Sequence, residues 1–109
     1  WYNKMLATLP EITTPKLHSD RSHVFHLYVI RSKVRDVLQT KLKNAGIQTA
    51  IHYPVSLPLL NAYKYLGYTA SDFPVSYQYQ DEILSLPMYP EMTEEMRNFV
   101  LQEIHELFD

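Results

Sequence analysis

Five histidines, His18, His23, His26, His52 and His105, are the side chains of this sequence best suited to metal ligation or to proton transfer near neutral pH. His23 and His26 stand three apart in a β-branched and aromatic run, where that spacing sends them to opposite faces. There is no HExxH, and no carboxylate lies at a recognised ligand spacing, so no metal site is expected. The sequence has no cysteine, which removes thiolate catalysis, disulfides and Cys-ligated zinc or iron–sulfur clusters. Serine fares no better as a nucleophile: a G-x-S-x-G elbow is missing, and Ser85 sits in an apolar run where its hydroxyl is expected to bond to backbone. Asp81-Glu82 and Glu94-Glu95 are adjacent pairs whose side chains diverge, which suits solvated faces and helix ends better than acid–base catalysis. No catalytic residue is assigned. What remains is His52-Tyr53-Pro54. Two polar aromatics before a proline turn offer hydrogen bonds, proton transfer and stacking, or they simply seal the end of a core.

The elements that must position these residues can be read from periodicity. Trp1, Tyr2, Met5, Leu6 and Leu9 recur at helical spacing, so the chain is expected to open inside an amphipathic helix and residue 1 not to be a domain's natural beginning. Pro10 and Pro15 mark an extended connector. Residues 23–31 read as a central strand with two apolar faces. Ser32 caps a helix whose apolar stripe is Val34, Val37, Leu38, Leu42 and Ala45, with Gly46 at its left-handed end, and 47–51 reads as a second strand. Short helical pieces are expected after Pro58, closing at Gly67, and from Asp72–Pro74 to near Glu82. Residues 83–86 form the third strand, and Thr93 caps a last helix with Met96, Phe99, Val100, Ile104, Leu107 and Phe108 as its apolar side. The expectation is an α/β (α+β) sandwich, a small sheet of about three strands packed with helices in one domain over 1–109.

Composition bounds the partners. The 109 residues are 46% hydrophobic and 20% charged, an ordinary globular balance. Ten Lys and Arg against twelve Asp and Glu give a net charge of −2, with no basic stripe for nucleic acid. No apolar run reaches the roughly 18–20 residues of a membrane span. Two glycines are too few for a phosphate-cradling loop, and neither GxGxxG nor a Walker motif is present. Nine tyrosines suit surfaces that are half buried and half wet.

His23-Val-Phe-His-Leu-Tyr-Val-Ile-Arg31, Ala45-Gly46-Ile47, Ile51-His52-Tyr53-Pro54, Ala62-Tyr63, Leu66-Gly67-Tyr68, Phe73-Pro74 and Leu84-Ser85-Leu86-Pro87-Met88-Tyr89-Pro90-Glu91-Met92-Thr93 occur in an order spanning nearly the whole chain. In that order they resemble the C-terminal small domain of the DegT/DnrJ-type, PLP-dependent sugar nucleotide aminotransferases, which are fold-type-I enzymes. The resemblance implies that the chain is part of such an enzyme, and the absence of cysteine fits the reducing cytoplasm. A large domain, N-terminal to this region, carries the Schiff-base lysine and most PLP contacts, and an amino acid such as glutamate donates its amino group to a keto carbon of a nucleotide-linked sugar. By the same resemblance, residues 1–9 are the end of an inter-domain helix, 10–21 a connector, and no cofactor-binding residue lies in this chain. Thr13-x-x-Lys16 imitates the family's Ser-x-x-Lys spacing by chance, from the connector. Without the large domain the chain is expected to be inactive alone and to associate with itself through the surface left uncovered.

The resemblance also assigns the site. His52 and Tyr53 match the family's His-Tyr-Pro segment near the sugar nucleotide and are expected to face substrate. Arg31 is a further candidate, for an anionic substrate group, or else it pairs with a nearby carboxylate. The family often continues with Pro-Leu-His-Leu-Gln, where this chain has Ser56-Leu57-Pro58-Leu59-Leu60, and Tyr77 stands where a Glu is common. Losing a His, a Gln and a Glu implies a different substrate or a copy drifted from catalysis. The alternative function is a stand-alone binding or assembly module derived from the same domain.

Overall fold

Strand β1 (Tyr28–Arg31) and strand β2 (Ile83–Leu86) pair antiparallel in the computed structural model, which describes residues 1–108. Their register sets Tyr28 opposite Leu86 and Ile30 opposite Leu84, and these four apolar side chains are buried. Alternation then turns Ile83 and Ser85 to the other face with Val29 and Arg31. The helices are α1 (Tyr2–Met5), α2 (Arg35–Asn44), α3 (Pro74–Gln80) and α4 (Glu94–His105). Short 3-10 turns stand at Leu6–Thr8, Leu57–Leu59, Asn61–Leu66 and Ala70–Asp72. The architecture is mixed α/β with one small sheet, as the sequence predicts.

The sheet has two strands, and the expected strand over 47–51 reduces to a bridge. Ala50 exchanges both backbone hydrogen bonds with Ser85, at 2.7 and 3.2 Å. The Ile47 N–H, three residues earlier, is spent on the Leu42 carbonyl at the end of α2. At the opposite edge Thr13 bridges Arg31 in the same way. The strand expected over 23–31 begins only at Tyr28. Phe25 has φ 48°, in the left-handed region, and its N–H donates to His23 Nδ1 at 2.8 Å, so the donor a ladder needs is consumed locally. The opening helix is likewise a single α turn continued by a 3-10 turn, from which Tyr2, Leu6 and Leu9 enter the core.

Helix α2 buries Arg35, Leu38 and Leu42, the i, i+3, i+7 face, and leaves Val34 and Val37 exposed. The expected stripe holds at Leu38, Leu42 and partly buried Ala45 and fails at Val34 and Val37, while Arg35 takes a core-facing position. The chain then leaves the helix through Gly46 at φ 79°, a conformation that disfavours any side chain with a Cβ. In α4 the buried side is Val100, Leu101 and Ile104, while Met96 and Phe99 are exposed. Thr93 caps α4 as expected, its hydroxyl accepting the Met96 N–H at 3.2 Å. Lys41 joins α2 to α4 through Glu103 and Glu106 at 3.0 and 3.2 Å.

Residues 57–79 contribute no buried side chain. Leu57, Tyr65 and Val75 each expose more than half of their surface there. The Cα radius of gyration is 15.6 Å, against roughly 13 Å for a closed domain of about 100 residues. The segment is an arm laid beside the sheet, not a layer folded onto it.

Candidate functional site

A groove of about 930 Å³ opens between the segment His52–Leu60 and helix α3, with Ile83 of β2 at its base. Two local devices hold its walls together. Ser56 donates its N–H to Gln80 Oε1 at 2.7 Å, and its hydroxyl meets the Ser76 hydroxyl at 2.6 Å. Arg35, only 7% exposed, sends Nη1 to the carbonyls of Gln80 and Ile83 at 3.1 and 3.0 Å. That contact fixes the end of α3 to the start of β2. The sequence offered no sign of it, since Arg35 reads as one more charge on an amphipathic helix.

His52 and Tyr53 are brought together on this groove. The Ala50–Ser85 bridge delivers the chain to His52, whose Nδ1 lies 2.9 Å from Ser85 Oγ. Ser85 therefore bonds through its hydroxyl to an imidazole and not to backbone, a correction to the sequence expectation. Tyr53 packs edge-on against His52, ring centroids 5.7 Å apart, and is 74% exposed. Ser56, Ser76 and Gln80 are tied to one another, so the groove's free polar chemistry falls largely to the outer edges of His52 and Tyr53. The rest of the lining, which includes Leu57 and Leu60, is apolar apart from the Tyr79 hydroxyl.

Arg31 does not line this groove. Its Nη1 pairs with Glu82 at 3.0 Å, and its guanidinium lies 3.9 Å from the centroid of Tyr79, a groove residue. The carboxylate pairing expected as one option for Arg31 is thus made, and its link to the groove runs through the Tyr79 ring. Among the described residues no three His, Cys, Asp or Glu side chains gather as a metal site. No lysine lines the groove, and neither does an arginine. The groove therefore does not fit pyridoxal phosphate by itself, having no amine for the aldehyde and no cation for the phosphate.

Residues 1–105 match the model of the DegT/DnrJ/EryC1/StrS aminotransferase family. The chain belongs to that family. It is similar to the "Pleiotropic regulatory protein" of Geobacillus stearothermophilus, 42% identical over 97 residues that cover 89% of this chain and 26% of the relative. It is also similar to the "Erythromycin biosynthesis sensory transduction protein EryC1" of Saccharopolyspora erythraea, 40% identical over 92% of this chain and 27% of the relative. Among solved structures, S. venezuelae DesV in complex with a ketimine intermediate superposes with a TM-score of 0.89 at 32% identity, covering 97% of this chain and 29% of DesV. The chain thus spans about a quarter of the length of the curated relatives it matches. The fold described above is the corresponding part of the aminotransferase fold.

Proposed function

We propose that this chain is the C-terminal small domain of a cytoplasmic, PLP-dependent aminotransferase acting on nucleotide-linked keto sugars, with the His52–Gln80 groove forming one wall of the sugar nucleotide site. The observation that carries the reading is the placement of His52, held by Ser85, beside Tyr53 on a mostly apolar groove, in a member of this family. Relatives named as transaminases of dTDP- and UDP-linked amino sugars support the substrate class. PLP is the electron sink in this chemistry. The lysine and the phosphate contacts it requires belong, in this reading, to the large domain of the family, for which residues 1–9 end an inter-domain helix and 10–21 form the connector. The domain alone is inactive.

Within the wall, His52 and Tyr53 hydrogen-bond to oxygens of the sugar nucleotide, and the apolar flank shields the bound sugar from water. Leu60, standing where the family often has Gln, makes this wall less polar and favours a deoxygenated sugar. Arg31 acts behind the wall, holding Tyr79. The apolar arm over 57–79 is covered by the rest of the enzyme, and the isolated domain associates with itself through it.

The test is steady-state kinetics of the full-length enzyme carrying His52→Ala. Loss of one hydrogen bond of up to about 1.5 kcal/mol raises KM for the sugar nucleotide up to about tenfold. KM for the amino donor stays unchanged. An unchanged KM for the sugar nucleotide refutes the assignment.

A further inference from the structure

Ser85 is buried, 5% exposed, and among the described residues its hydroxyl meets one hydrogen-bond partner, His52 Nδ1 at 2.9 Å. The two possible directions of that bond differ in cost. If Nδ1–H donated to Oγ, the Ser85 O–H proton would be buried with no acceptor, and an unmade buried donor costs about 1–3 kcal/mol. If Oγ–H donates to Nδ1, the hydroxyl's donor is satisfied and only a lone pair goes unused. Geometry reinforces this, because the same residue holds Ala50, two positions before His52, through both of its backbone groups at 2.7 and 3.2 Å. Ser85 thus holds both the ring, through its hydroxyl, and the chain that leads to it, through its backbone.

From this we infer that Ser85 is a positioning residue: by donating to Nδ1 it fixes neutral His52 as the Nε2–H tautomer, so that the groove presents a hydrogen-bond donor to an oxygen acceptor of the ligand. The inference deepens the sugar nucleotide reading and rests on it for the identity of the ligand, but the tautomer belongs to the protein alone. A donor-only imidazole selects carbonyl, hydroxyl or phosphate oxygens and rejects an ammonium. It thereby distinguishes the sugar nucleotide from the amino group of the donor. Replacing the Ser85 hydroxyl removes the selection without touching any ligand atom.

Neutron diffraction from deuterium-exchanged crystals of the full-length protein reads the tautomer directly. The crystals are kept in mildly alkaline buffer. The expected map has deuterium on His52 Nε2, none on Nδ1, and the Ser85 O–D vector aimed at Nδ1. Ser85→Thr keeps that arrangement, its β-branched side chain being suited to a strand. Ser85→Ala divides the deuterium between the two nitrogens at partial occupancy, or turns the ring. Deuterium on Nδ1 in the wild type overturns the inference, as does a Ser85→Ala map with His52 unmoved and still deuterated only on Nε2. Should Ser85→Ala not fold, the wild-type and Ser85→Thr maps decide. A normal map beside an unchanged sugar nucleotide KM for His52→Ala would instead reject the functional reading and leave the tautomer standing.

Discussion

Replacing Arg35 with Met removes the guanidinium that joins α3 to β2 while keeping an unbranched, apolar stem in the core. Two contacts are lost, to the carbonyls of Gln80 and Ile83 at 3.1 and 3.0 Å. Hydrogen bonds from a charged donor are worth about 1.5–3 kcal/mol each. Relief of the buried charge offsets part of the sum, because desolvating a cation is itself unfavourable. The net expected loss is about 2–3 kcal/mol, a roughly 30- to 150-fold change in the unfolding equilibrium at 1.4 kcal/mol per decade. The neighbouring pair with Asp36, at 2.5 Å, adds little because the Asp36 side chain is 84% exposed and screened. Asp36→Ala is therefore the control, with a loss below about 1 kcal/mol. Urea unfolding followed by far-UV circular dichroism measures both. An Arg35→Met protein within about 0.5 kcal/mol of wild type, the ordinary range for surface substitutions, would refute the claim that Arg35 secures the groove.

Two further outcomes follow from the same structure. Burial pushes the Tyr28 hydroxyl up to about 12, so its folded-state value lies above the unfolded value of 10.0. The stability it contributes is complete below pH 10 and is lost as pH rises towards 12, and Tyr28→Phe shows a shallower loss across that window in alkaline unfolding curves. The exposed apolar side chains of residues 57–79 predict that the isolated 109-residue chain self-associates, with the mass from light scattering rising with concentration. A concentration-independent monomer mass contradicts that expectation.

Strand β2, the cap at Thr93 and the turn at Gly46 were legible because each depends on a few adjacent residues. The local pattern at His52 and Tyr53 left open whether they line a groove or seal the core, and only the family resemblance pointed to the groove. Arg35 was not, since its partners lie 45 and 48 residues away and a basic residue on a helix gives no local sign of burial. The strand expected at 23–27 failed for a related reason. β-branched and aromatic content favours a ladder only where a partner strand exists, and β1 finds its partner only from Tyr28, opposite Leu86. Ser85 illustrates both sides. An isolated hydroxyl in an apolar strand was conspicuous, but its imidazole partner depended on the Ala50 bridge, which pairs residues 35 apart in sequence.

The most direct test of the central claim is photoaffinity labelling of the full-length protein with a nucleotide-linked sugar bearing a photoreactive group on the sugar, followed by tryptic mapping. Cleavage after Lys43 and Lys64 releases His52, Tyr53 and the flanking groove segment in one peptide, residues 44–64. The account predicts label in that peptide, suppressed by excess unmodified sugar nucleotide. Competable label elsewhere in the protein, with none in residues 44–64, would contradict it.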